Sequence, residues 1–165
     1  MLQPATTALL QAATSTFESL AMLFPEPRST DGSEFIPLAA TFAVSYSGAG
    51  SGRVVVGVTA GVLPALAENM LGAAAADVQL QRDALGELTN VVTGNVLPLV
   101  HGAAAVFHLN APAEVIDTPF VARPGETQLA FMRVQMEEGE AILAMFSTTD
   151  TAACASSHLT VAIRA

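Results

Sequence analysis

The residues from Asp77 to Val100, DVQLQRDALGELTNVVTGNVLPLV, hold the longest helical periodicity in the chain, and they restrict the fold more than any other segment. At about 100° of rotation per residue, Leu85, Leu88, Val92, Val96 and Leu99 gather on one side of such a helix. Asp83, Glu87, Asn90 and Gly94 fall within an arc of about 60° on the other. One side must therefore be covered by a second layer, while the other is left to solvent or to a partner. Asp77 is placed to cap the first turn, and Pro98 is expected to kink the last turn or end it.

The covering layer is written on either side of this helix. A first amphipathic helix is expected from about Thr6 to Phe24, with Leu9, Leu10, Ala13, Phe17, Leu20, Ala21 and Phe24 at helical spacing and Pro25 and Pro27 closing it. Two strands follow, Phe35 to Tyr46 and Arg53 to Thr59, joined as a hairpin by the glycine-rich SGAGSG of Ser47 to Gly52. A short helix from Pro64 to Leu71 ends at Gly72 in the manner of a left-handed cap. Downstream, Ala105 to Leu109, Glu114 to Ile116, Gln128 to Met136 and Glu140 to Phe146 read as strands, the last two joined by a turn at Glu138-Gly139. Leu159 to Ile163 is expected to add an edge strand. The order predicts an α+β fold of two layers, a largely antiparallel β-sheet with the long helices packed on one face. A chain of 165 residues is one domain, spanning 1–165.

Charge removes several classes of function. Six basic residues, all of them Arg, against fifteen acidic ones leave a formal charge of −9, which repels nucleic acid backbones and anionic membrane surfaces. With no lysine, the chain has no amine for Schiff-base chemistry, and any lysine in its mechanism must come from a partner. No apolar run approaches the roughly 20 residues of a membrane span, and the N-terminus lacks the positive start of a signal peptide, so a cytoplasmic location is expected. Cys154 is alone and reads as a small hydrophobe. His101, His108 and His158 lack a metal-ligand spacing, and SGAGSG lacks the GK[ST] ending of a phosphate-binding loop. Met132, Met136 and Met145 read as packing residues.

The polar stripe of the long helix is poorly chosen for stability. Asp83 and Glu87 are like charges at i,i+4, Asn90 is a weak helix former, and Gly86 and Gly94 each cost up to about 1 kcal/mol relative to Ala. The two glycines flank the polar residues and would let another surface approach closely.

The stretch DALGELTNVVTGN, Asp83 to Asn95, resembles the signature of the CheC/CheX/FliY phosphatases: Asp or Ser, three residues, Glu, two residues, Asn, and a proline about twenty residues on. Here the matching positions are Asp83, Glu87, Asn90 and Pro112. ENMLG at Glu68 to Gly72 and FHLNAPAEVI at Phe107 to Ile116 resemble the elements flanking the signature in that family. CheC-like members carry a second Glu-x-x-Asn in the first helix; the corresponding Glu18-Ser-Leu-Ala21 lacks the asparagine, which leaves one site, the CheX-like pattern.

The resemblance implies a protein substrate, the phosphorylated receiver domain of a CheY-type response regulator, with Mg²⁺ held by that receiver and no metal or cofactor on this chain. Asn90 would orient the attacking water, and Glu87 would pair with the receiver's lysine. Asp83, Gly86 and Gly94 would be supporting partner contacts. The resemblance also implies a homodimer joined through sheet edges, for which Leu129 to Met136 is a candidate. The alternative from another class is a scaffold that binds a receiver or flagellar protein through the same helix without turnover.

Overall fold

The computed structural model describes residues 3–29, 34–72 and 77–148. The first helix, α1, covers Pro4–Ala21 and buries Ala8, Leu9, Ala12, Ala13, Phe17 and Ala21. It ends because Met22 turns into the left-handed region, at φ 53°, where its N–H donates to the Phe17 carbonyl. That break precedes the two prolines and throws Phe24 outward, 70% exposed, so Phe24 is not part of the helix's apolar stripe as its spacing suggested.

A three-residue strand, β1 (Glu26–Arg28), follows, then the hairpin of β2 (Leu38–Gly48) and β3 (Gly52–Thr59). The hairpin needs glycine at position 52, where a Cβ would lie 2.0 Å from the Phe146 carbonyl oxygen and 2.5 Å from the Tyr46 hydroxyl. Tyr46 uses that closeness to donate to the same carbonyl at 3.0 Å, and burial pushes its phenol up to about 12. The helix α2 (Val62–Leu71) closes on Gly72 at φ 61°, and α3 (Val78–His101) is the long helix expected from the sequence. Asp77 caps α3 by accepting from the N–H groups of Gln79 and Leu80. Pro98 does not end the helix, which runs on through His101 to a last-turn hydrogen bond from the Gly102 N–H to the Pro98 carbonyl.

The chain finishes, within the described residues, with the short strands β4 (Phe107–Leu109) and β5 (Ala113–Glu114) and the long hairpin β6 (Glu126–Met136) and β7 (Gly139–Thr148). Among the described residues the sheet has seven strands in the order β1-β6-β7-β3-β2-β4, with β5 also on β2, and every pairing is antiparallel. The expected α+β architecture is thus present, with one addition: β1 pairs Glu26 to Arg28 with Arg133 to Gln135, so part of the candidate dimer edge is covered by the chain itself. The expected strand at Leu159 to Ile163 lies outside the described residues, as do Cys154 and His158.

Strand alternation divides the apolar residues between the two sheet faces. Val54, Val56, Val58, Leu143, Met145, Met132 and Val134 point to the helices and form the main core with Leu9, Phe17, Leu66, Leu85, Leu88 and Val92. The opposite face carries a smaller cluster, Ala43, Val55, Ala144 and Phe146, against which Val115, Phe120 and Phe131 pack. Arg53, only 2% exposed, sits there over the Phe146 ring at 4.2 Å. Its guanidinium holds both oxygens of Glu126 at 2.9 Å and donates to the carbonyls of Pro119 and Val121. One arginine thereby fastens the segment before β6 across the back of the sheet.

Candidate functional site

The exposed stripe of α3 is set by what the rest of the helix must bury. Leu85, Leu88, Val92 and Val96 are fully enclosed, together with Thr89 and Thr93. Those two threonines satisfy their hydroxyls within the helix by donating to the carbonyls of Leu85 and Thr89 at 2.8 and 2.7 Å. With that face fixed inward, Asp83, Glu87 and Gly94 are exposed and Asn90 is half-buried. Leu99, assigned by its spacing to the apolar side, is 46% exposed instead: at this end of α3 the buried side is made by Val96 and Leu97, with Val100 packed against the core, and Leu99 lies off it.

The polar residues of this region differ in what they bond. Asp83 accepts from the Gln79 amide at 2.8 Å, one turn earlier. The neighbouring Arg82 reaches Glu114 of β5 at 3.6 Å, a half-exposed pair worth at most about 1 kcal/mol. Asn95 donates its amide to the Thr16 hydroxyl at 3.0 Å and so ties α3 to α1. Glu87 and Asn90 make no hydrogen bond or ion pair with any of the described residues. The two side chains singled out from the sequence are the ones left without internal work.

The two glycines have different surroundings. Gly94 is open: a methyl group there would meet nothing nearer than Leu109 Cδ1, at 4.0 Å. Gly86 is buried, which corrects the expectation that it lies open beside the polar pair as a partner contact. A Cβ at Gly86 would meet the Cβ of Pro112 at 3.4 Å and the Phe42 ring at 3.5 Å, so this glycine seats the β4–β5 connection and β2 against the helix. Pro112, the distant proline of the motif, is therefore next to the site through Gly86, a proximity that sequence separation hides.

The remaining candidates have structural surroundings. His101 packs its ring against Phe107 and Tyr46, with centroids 5.1 and 6.3 Å away, and His108 is exposed on β4. Glu18 is exposed on α1, whereas Ala21, in the place of the second asparagine, is fully buried. Met132, Met136 and Met145 belong to the main core. Among the described residues no three His, Cys, Asp or Glu side chains come together as metal ligands, and no helix is long and apolar enough to cross a membrane. Sequence reasoning missed the burial of Arg53; the signal available was a lone charge opening the strand RVVVGVT.

Comparison with known proteins places this geometry. The family profile described as "Chemotaxis phosphatase CheX" matches residues 40–136, from β2 to the end of β6 and across all of α3. No curated protein sequence gives a match. Among solved structures, the chemotaxis protein CheX from Desulfovibrio desulfuricans is similar with a TM-score of 0.67 at 19% identity, over 87% of this chain and 98% of that one. CheX from Vibrio vulnificus gives 0.69 at 19% identity, over 86% and 95%. A chain of the CheX-CheY-BeF3-Mg²⁺ complex from Borrelia burgdorferi gives 0.59 at 16% identity, over 87% and 97%. These likenesses establish the fold, and since the family profile spans more than half of the residues, the chain belongs to the CheX family of chemotaxis phosphatases.

Proposed function

We propose that this chain hydrolyses the aspartyl phosphate of a CheY-type receiver domain, with Asn90 orienting the attacking water and Glu87 docking to the receiver's active-site lysine. The observation that carries the reading is the pair itself: an uncommitted carboxylate and carboxamide, three residues apart on the outward side of a helix whose Asp83, Thr89, Thr93 and Asn95 side chains are hydrogen-bonded within the chain. Membership of the family and the existence of a CheX-CheY complex in a relative of the same fold support a receiver as the partner. The chain's own lack of lysine makes Glu87 a natural acceptor for one from outside.

The chemistry asks little of this side of the complex. An aspartyl phosphate is a mixed anhydride, so its P–O bond is already weak. Water attacks phosphorus in line with that bond, the aspartate leaves as its carboxylate, and the proton passes to the phosphate or to solvent. Orienting the water is the remaining task, and a neutral carboxamide can accept from the water and position it without carrying charge toward an anionic centre. Mg²⁺ would be held by the receiver's residues and would neutralise the phosphoryl oxygens. Asp83 and Gly94 are supporting contacts in this reading, which also has the protein acting in the cytoplasm and pairing as a homodimer.

The test is the decay of a phosphorylated CheY-type receiver in Mg²⁺, alone and with catalytic amounts of wild type, Asn90→Ala and Glu87→Ala. The wild type should accelerate decay. Asn90→Ala should lower kcat at least about 100-fold with KM little changed, since it removes the water-orienting group but not the docking charge. Glu87→Ala should raise KM as well. Binding by all three without acceleration by any would leave a scaffold; equal acceleration by wild type and Asn90→Ala would remove Asn90 from the mechanism.

A further inference from the structure

Along α3, Gly86 precedes Asn90 by one turn and Gly94 follows it by one turn, each rotated by about 40° to either side. The two glycines face the end of β4 and the connection that leads from it to β5: position 86 meets Pro112, and position 94 meets Leu109. Asn90 lies between them in height and in rotation, so the seam between helix and connection passes beside its carboxamide. The connection is anchored at both ends. Leu109 pairs with Tyr46, the Asn110 N–H donates to the Ser45 carbonyl at 2.9 Å, and Ala113 and Glu114 pair with Ala43 and Phe42. A segment tied down this closely is a wall, and its outward apolar residue is Leu109, 36% exposed beside the bare backbone of Gly94.

We propose that the Leu109–Pro112 connection is the second wall of the docking site, with Leu109 an apolar contact for the receiver surface around the phosphorylation site and Pro112, seated on Gly86, fixing that contact relative to Asn90. The proposal rests on the phosphatase reading and extends it by adding an apolar element to a face whose other contacts are polar. The argument for the receiver as occupant is one of reach. A water held by Asn90 can attack a phosphoryl group only if the partner's surface comes within about one water diameter of the helix, roughly 3 Å to each side. A surface that close also covers Gly94, and Leu109 stands within van der Waals range of that position. Burying the exposed part of a leucine there adds affinity that charge screening does not remove.

The test compares wild type with Leu109→Thr, which keeps a residue suited to a strand, and with Leu109→Met, which keeps the apolar bulk. Affinity is measured for a receiver loaded with Mg²⁺ and beryllofluoride as an acyl phosphate mimic, and kcat and KM are measured on the phosphorylated receiver; thermal melting reports the fold. Leu109→Thr should weaken binding and raise KM about ten-fold, with kcat within about two-fold of wild type, and Leu109→Met should behave as wild type. Unchanged affinity and KM in Leu109→Thr would overturn the proposal, as would a fall in kcat alone. If wild type binds the receiver without dephosphorylating it, the phosphatase reading falls while the affinity comparison still decides Leu109; if wild type binds no receiver, both fall together. Should Leu109→Thr melt early, Leu109→Asn under the same affinity measurement decides in its place.

Discussion

Asn90 and Asn95 stand on one helix with the same side-chain chemistry, and their bonds separate them. Asn95 spends its amide on Thr16, so Asn95→Ala should cost about 1 kcal/mol, the net worth of a typical intramolecular hydrogen bond, and leave receiver dephosphorylation at the wild-type rate. Asn90→Ala should do the reverse, since nothing among the described residues bonds Asn90 and alanine is the better helix former by about 0.5 kcal/mol. Chemical denaturation and turnover, measured on both variants, check the pair of outcomes. A loss of stability in Asn90→Ala would mean that the carboxamide has work inside the fold. At this scale the sequence was informative about type and spacing but silent about commitment. The motif singled out Glu87 and Asn90, yet only the packing of α1 against α3 reveals that Asn95 is engaged.

Among the elements, α3 shows where periodicity is decisive and where it stops. Its inward stripe was legible because Leu85, Leu88, Val92 and Val96 repeat at helical spacing, and α1, α2 and the sheet enclose them in one core. Leu99 repeats equally well but lies off the side that Val96, Leu97 and Val100 turn to the core, and Phe24 is turned outward by the left-handed Met22, so position relative to a neighbouring layer overrides pattern at both places. Strand β1 had no signature at all, being three residues long with Pro27 at its centre, a residue tolerated there because, among the described residues, the strand is an edge. The two glycines make the same point energetically. Gly94→Ala places its methyl in open space and should stabilise the protein by up to about 1 kcal/mol while weakening receiver binding, whereas Gly86→Ala, whose methyl would reach Pro112 and Phe42 at ordinary contact distance without displacing them, should keep the Pro112 seat and with it receiver binding. Melting curves and receiver affinity on each variant check this; unimpaired binding by Gly94→Ala would remove that position from the docking face.

The whole molecule divides its tasks between the two faces of one sheet. The helices bury the main core and present the polar stripe of α3, and the opposite face is closed by a connection that Arg53, stacked on the Phe146 ring, holds through Glu126 and two carbonyls. β3 carries Arg53 on one side and Val54, Val56 and Val58 on the other, so the clamp and the main core share one strand. The Arg53 guanidinium, with a further hydrogen bond from the Arg123 N–H, holds the Glu126 carboxyl below its ordinary 4.5. A carboxyl with a depressed folded pKa contributes stability that is present above its unfolded value and is lost as pH falls through the folded one. The wild type should accordingly lose stability as pH drops below about 4.5, the unfolded value. Glu126→Gln keeps the shape but replaces the carboxylate acceptors with a neutral amide. It should be less stable than wild type by about 1.5 to 3 kcal/mol at pH 7, the worth of a hydrogen bond to a charged group, and its acid limb should be flatter. The net charge of −9 works the other way, since protonating the exposed carboxylates relieves their mutual repulsion in wild type and variant alike. Subtracting one denaturation series from the other between pH 7 and pH 3 cancels that common part and isolates the clamp: the difference should shrink toward zero on the acid side, and a difference that stayed constant would show that Glu126 is not held in its charged form by Arg53.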